Sequence, residues 1–336
     1  MCSNTSFLIN PPVWLMPIQR TFGVSSIALS TLSFYMIVFK SPPAMNSYKY
    51  YILAVQIGTT LFDMCMNLLG NFIILLPIMA IISRGLLGLS TSIILGILNG
   101  ASLLTSFSIV LLFYVRHATL CSKDCKWILP KIIEKIAVIM MPTIIVLLSL
   151  YGMFAKLDRD EMERYLIEKY PYAVCLLEVE NVAIYLFQSS DSNLVKLPLL
   201  TWITVMIVFV VVLMKLTFHT IGILTAQHEN SVSSKTQSMH KSAIISIFIQ
   251  FSSLLIFETV SFFIIAGLVL LASQLSHETI FGKFLCYNDI SSISAYTSVA
   301  ELLISSHSSM FTPILIILIK PYREALFYRR NIVNAR

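Results

Sequence analysis

The chain has 336 residues, 57% apolar and 12% charged, with a formal net charge of +6 and a mean hydropathy of +0.83. An ordinary soluble domain carries about 25% charged residues, so this chain cannot cover itself with polar surface and lipid must be part of its solvent. A soluble enzyme is excluded on those grounds, and the basic residues are spread over separate short segments rather than gathered into a nucleic-acid-binding patch.

A hydrocarbon core of about 30 Å needs about 20 helical residues to cross it. Hydropathy, bounded by charges and prolines, predicts seven such spans: 17–39, 50–78, 86–115, 136–154, 197–218, 242–272 and 291–319. A short basic tail, 320–336, begins Lys320-Pro321-Tyr322-Arg323. The expected fold is therefore an all-α membrane protein, a seven-transmembrane bundle forming one domain over 1–336. Only Ser83 and Arg84 separate the second span from the third, which predicts a short loop there. The long loop from Ala155 to Val195 is acidic and has a helix-like start, Asp160-Glu161-Met162-Glu163-Arg164. It suits a lid over a pocket. Within it, Tyr172 to Phe187 is apolar but too short to cross. It carries Glu178 and Glu180, and a carboxylate at a span centre costs about 2.5–3.5 kcal/mol. The expectation there is two short strands turning at Glu180-Asn181.

Orientation follows from Lys and Arg alone. With the N-terminus outside, the inner segments hold about twice as many of these residues as the outer ones. The basic excess then faces anionic lipid and a cytoplasmic partner. Asn4-Thr5-Ser6, a glycosylation sequon, falls outside in this arrangement. The first apolar run lacks a basic lead and a small-residue cleavage site, so it is read as a signal anchor. Cys175 and Cys286 both fall on outer loops, where a disulfide between them and a pair of separate thiols are equally open readings. Cys121 and Cys125 are cytoplasmic, and their spacing makes no zinc site without further ligands. Palmitoylation or unused thiols are the alternatives there.

Several stretches, taken in order, resemble a known family. Lys49-Tyr50-Tyr51-Ile52-Leu53 with Gln56 and Asp63, then Leu76-Pro77-Ile78-Met79-Ala80, is similar to the second span of nematode serpentine chemoreceptors of the Str superfamily. Classes H and I are nearest, class I more so. Arg116-His117 matches the inner end of that family's third span, and Ser234, Thr236, His240 and Gln250 match the approach to its sixth. His307, Thr312 and Pro321-Tyr322-Arg323 match its seventh. Two positions depart from the pattern. No proline follows Gln250 in Phe251-Ser252-Ser253-Leu254, and Ser308 stands where a glycine is usual. The resemblance implies a G protein-coupled receptor for small environmental or pheromone-like chemicals, placed in the plasma membrane at the cilia of sensory neurons. Its partners would be a small-molecule ligand, a heterotrimeric G protein and the bilayer, with no nucleic acid, cofactor or metal.

Acids inside spans are rare unless buried or paired. Counting about 1.5 Å per residue from the inner ends, Asp63 lies about 21 Å deep, Glu258 about 26 Å and Glu301 about 27 Å. Glu258 and Glu301 are candidates to border an outward-facing pocket, the alternative being interfacial glutamates wetted by water. His307, about 18 Å deep, is a candidate for a ligand contact or for a hydrogen bond to a neighbouring helix. Asp63, Gln250 and Pro313 are candidates for a polar switch beneath the pocket. At the inner face, Arg116, His117, Tyr322 and Arg323 are candidates for G-protein contact. Arg116 follows Val115 instead of an acid, so a plain inner-face anchor is the equal alternative for it. Arg323, Arg329 and Arg330 with Ala325, Leu326 and Phe327 suit an amphipathic helix on the inner leaflet.

No phosphate-binding glycine loop, Gly-x-Ser-x-Gly or His-Glu-x-x-His is present. The rival classes are a ligand-gated channel or a transporter. Neither inverted repeats nor rings of pore-lining charge are visible to favour them. A receptor relative that folds but does not signal is a third reading.

Overall fold

The computed structural model describes residues 13–41, 48–75, 80–121, 131–154, 156–184, 193–229 and most of 298–327, with the single positions 249, 252 and 267. Six helices come first: α1 (Leu15–Phe39), α2 (Tyr48–Met64), α3 (Thr91–Leu120), α4 (Lys131–Phe154), α5 (Arg159–Lys169) and α6 (Asn193–Glu229). A π-helical turn, Cys65–Gly70, prolongs α2. Further helical residues follow at 298–306 and, with interruptions in the description, up to 318. A terminal helix, Lys320–Phe327, ends the fold. The sixth predicted span, 242–272, lies outside the described residues apart from three isolated positions. Among the described residues, Leu15–Phe39, Lys49–Gly70 and Thr91–Val115 are long and apolar enough to cross a membrane. Shorter apolar helical stretches occupy Ile139–Tyr151 and Ile207–Ile223.

The helices pack by an inverted logic. On α1 the buried positions Gln19, Gly23, Ser26, Ser30 and Ser33 recur every three or four residues, while Ile18, Val24, Ile27 and Val38 are exposed. On α4 the exposed side chains are Ile139, Met140, Val146, Leu147 and Phe154, and on α6 they include Ile207, Val208, Val211 and Phe218. Lipid tails offer such residues as good a contact as another helix does, so helix association depends on close packing and polar contacts. Accordingly, small and polar side chains take the inside. α3 lies centrally, against α2, α4 and α6. Gly58 makes the α2–α3 approach possible. A Cβ there would stand 2.5 Å from the Thr105 hydroxyl and 2.9 Å from the Thr105 backbone nitrogen.

The second span ends earlier than hydropathy predicts. Helical structure stops at Gly70, and Asn71 turns into the left-handed region at φ 42°. Phe72–Leu75 and Ala80–Ser83 are then strands β1 and β2, paired antiparallel with Phe72 opposite Ser83 and Leu75 opposite Ala80. The predicted span 50–78 is thus a span to residue 70 followed by a strand, and the predicted short loop is a hairpin plus a return strap. That strap satisfies the carbonyls a helix end leaves open. Arg84 N–H and the Ser83 hydroxyl donate to Gly70 O at 2.9 Å each, and Leu86 N–H donates to Leu68 O at 3.0 Å. Residue 85 must be glycine here, since a Cβ would sit 1.5 Å from Leu69 O. The third span then starts at Thr91 instead of 86, and α6 runs beyond both predicted ends of the fifth.

A third strand, β3 (Val182–Ile184), pairs with β2 to complete a sheet of order β1-β2-β3. The turn predicted at Glu180-Asn181 is present, with Asn181 at φ 59°. The half before it is a 3-10 helix, Pro171–Glu178, where a strand was expected. α5 covers this sheet. Its Met162 and Leu166, one turn apart, join Tyr170, Ala173 and Leu176 against Ile73, Leu75, Ile82 and Ile184. The Thr91 hydroxyl, at the start of α3, donates to Asn181 O and accepts from Ser83 N–H at 3.2 Å. The sheet and α5 form a cap at one end of the bundle. At the opposite end Met36, Ile37, Ile52, Leu112, Phe113, Leu213 and Tyr322 make the other main apolar core.

Replacing Gly58 by Ala or Val should lower thermal stability by about 1–3 kcal/mol, the usual cost of overpacking. Gly222→Ala, with nothing within 4 Å of the added methyl, should unfold as the wild type does. Thermal unfolding of the purified protein checks both.

Candidate functional site

α2 carries a polar face through its apolar length. Gln56, Thr59, Asp63 and Asn67 recur at three- or four-residue intervals, and none is more than 1% exposed. Gln56 is the hub. Its amide nitrogen donates to Ser30 Oγ and to Thr312 Oγ1, at 3.2 Å each, and its Oε1 accepts from the Ser33 hydroxyl at 3.1 Å. One side chain so joins α1, α2 and the seventh predicted span. Thr60 adds to it, its hydroxyl lying 2.9 Å from Ser30 Oγ and 2.6 Å from Gln56 O.

The described part of the seventh segment meets its neighbours on one face, from Glu301 to Thr312. Glu301 Oε1 accepts from Ile74 N–H of β1 at 3.2 Å. Four residues on, Ser305 O accepts from Asn67 Nδ2 at 3.2 Å. Ser309 donates to Phe22 O at 3.4 Å, and Thr312 receives Gln56. Beyond the span, Tyr322 lies 2.8 Å from Ser41 Oγ. Ser41 gives its single hydroxyl proton to Ile37 O at 2.6 Å, so the tyrosine hydroxyl is the donor in that pair. Positions 301, 305, 309 and 312 follow the helical repeat. Asn67 belongs to the π-helical turn, a distortion common at working sites.

The predicted site residues divide accordingly. Asp63 lies on the Gln56 face, fully buried, and Pro313 sits beside Thr312. Glu301 is 2% exposed and bonded to the sheet. Glu258, Gln250, His307, Asn4 and Cys286 lie outside the described residues. Cys175 is in the 3-10 helix and Arg116 in α3, but their side chains are outside the description too. Tyr322 is fully buried in the core, and its neighbour Arg323 is exposed. His117 is likewise buried, beyond the apolar stretch that ends at Val115. Burial, and then the charge of the facing His219, hold its imidazole below the ordinary histidine pKa.

Sequence reasoning did not single out Ser30, Ser33, Thr60, Asn67 or Ser305 as site residues. The available signal was their spacing: polar side chains repeating every three or four residues inside an apolar run mark the inward face. Removing the Glu301 acceptor would take its partner from the half-buried Ile74 N–H, at a cost of about 1 kcal/mol. Glu301→Ala should therefore lower the melting temperature while Glu301→Gln, which keeps the accepting oxygen, should stay near wild type. Thermal unfolding of the three proteins side by side is the check.

Comparison with curated proteins finds no match. Comparison with protein families finds one, described as serpentine type 7TM GPCR chemoreceptor Sri, over residues 7–326. A seven-transmembrane bundle agrees with the several long apolar helices and with the inverted packing described above. The match covers nearly all of the chain, and the protein belongs to the Sri family of serpentine seven-transmembrane chemoreceptors.

Proposed function

We propose that this chemoreceptor binds a small environmental or pheromone-like molecule from the extracellular side and activates a heterotrimeric G protein. It would do so as one domain over residues 1–336, in the class H and class I branch of the Str superfamily, with its N-terminus outside the plasma membrane of a sensory cilium. The Lys and Arg distribution and the Asn4 sequon support that orientation.

The observation that carries the reading is the polar seam along the seventh segment. A ligand changes a receptor only through its different affinity for two packings. The seam offers a discrete set of contacts that can be made in one packing and broken in another: Glu301 to the cap, Asn67 to Ser305 and Gln56 to Thr312. Interhelical hydrogen bonds in membranes are worth on average about 0.6 kcal/mol each. Differential binding of a few kcal/mol by a small ligand is therefore enough to redistribute them. Of the two described acids within the spans, Asp63 and Glu301, Glu301 lies beside the cap. Glu258 and His307 stand with it as ligand-side candidates, and Gln250 with Asp63 and Pro313 in the switch. At the inner end the exposed Arg323 would meet the G protein, and Arg116 remains a candidate beside it. In the resting packing Tyr322 and His117 are interior, holding helices together.

Two measurements test this. Expressed in a heterologous cell with a panel of volatile and water-soluble compounds, the receptor should give G-protein activation. A ligand-evoked current that persists without any G protein would overturn the reading in favour of a channel. Gln56→Leu, which removes the hub, should raise ligand-independent G-protein activation several-fold at equal surface expression. Unchanged basal and ligand-evoked signalling in that variant would sink the switch.

A further inference from the structure

At the end of the bundle opposite the cap, α3 and α6 bring three metal-binding side chains together. His117 and Cys121 are four residues apart on α3 and so lie on one face. His219 reaches them from α6. Their ligand atoms all fall within 4.8 Å of one another. Cys121 Sγ lies 3.2 Å from His117 Nε2, and the two imidazoles meet edge to face with centroids 4.9 Å apart. His117 is buried; Cys121 and His219 are half-buried, so the cluster is neither sealed nor splayed into water.

The hydrogen bonding of His117 selects its tautomer. The Thr220 hydroxyl gives its one proton to Leu216 O at 2.6 Å. Towards His117 Nδ1, 3.2 Å away, it can only accept, so Nδ1 carries the ring proton. The lone pair is then on Nε2, the nitrogen that faces the thiol. A histidine whose other nitrogen donates to an orienting partner is the usual arrangement of a metal ligand.

We propose that His117, Cys121 and His219 form a binding site for a transition-metal ion of zinc type, joining the third span to the fifth at its inner end. Tetrahedral zinc, with bonds of about 2.3 Å to sulfur and 2.0–2.1 Å to nitrogen, sets ligand atoms about 3.3–3.6 Å apart. The separations here run from 3.2 Å, between Cys121 Sγ and His117 Nε2, to no more than 4.8 Å, so an ion would draw the three groups together by about an ångström. Two imidazoles and one thiolate leave a fourth position for water, and the half-buried setting gives the ion a way in. On binding, the Cys121 thiol loses its proton to solvent and the sulfur takes the metal in its place. Sequence spacing did not reveal the site, because the third ligand lies nearly a hundred residues away on another helix.

An ion bound across α3 and α6 stabilises the packing in which those ligands meet. The test uses the full-length receptor in lipid nanodiscs, stripped with chelator and titrated with zinc alone. The wild type should gain several degrees in melting temperature at micromolar zinc, and cobalt in place of zinc should give thiolate-to-metal absorption. Cys121→Ser and His219→Ala should each weaken zinc binding at least tenfold. Thr220→Val, which only frees the His117 ring to turn, should weaken it by about tenfold. Should those variants fail to fold, the wild type still decides: zinc should protect Cys121 from maleimide labelling, located by peptide mapping. Absence of both stabilisation and protection, or zinc binding indifferent to the substitutions, would overturn the proposal.

Discussion

The bundle depends on the Gln56 amide. Buried in a low-dielectric interior, an unpaired primary amide is costly. Gln56 meets that cost by drawing Ser30, Ser33 and Thr312 towards it from two other helices. Its placement constrains every neighbour: serines on α1 must fall in phase with it, α2 must turn that face inward, and the seventh segment must bring Thr312 opposite. The small residues of α1 then serve a double purpose, giving both close approach and acceptors. What faces lipid is left to Ile, Val, Leu and Phe, whose burial against another helix would gain little over contact with acyl chains.

Two different stabilising principles meet in one chain. The helices associate by polar contact and close fit, whereas the cap resembles a small water-soluble core. α5 has acids in its first turn, where a helix favours them, and an apolar stripe of Met162 and Leu166 turned to the sheet. The two regions are sewn together by backbone carbonyls of the second span, which the return strap satisfies, and by Thr91. Substitutions in α5 should thus follow hydrophobic-burial rules, and those on α1 should not.

Much of this was legible from the residues. The helical start at Asp160 and the turn at Asn181 were visible in charge and turn chemistry, and the first three predicted spans each contain a helix long and apolar enough to cross a membrane. The error at 71–83 has a physical source. Phe72-Ile73-Ile74-Leu75 and Ala80-Ile81-Ile82-Ser83 form an almost unbroken apolar run, and such a run has no period to separate a strand from a helix. Its isoleucines and Pro77 favour strands over a helix interior. The opposite settings of Tyr322, buried, and Arg323, exposed, could not be read from the sequence, because only the packing reveals which of two adjacent side chains turns inward. The hub was hidden for a different reason: a glutamine in an apolar span signals burial without naming its partners, and those are set by register between distant helices.

The bond from Ile74 to Glu301 has one more consequence. β1 is an edge strand, and an edge strand with open amides can pair with the same strand of another molecule. Here an inward-held carboxylate occupies an amide of that edge. In a crowded membrane, where copies of one receptor collide constantly in a plane, this makes β1 a poorer template for self-association than an edge with that amide open.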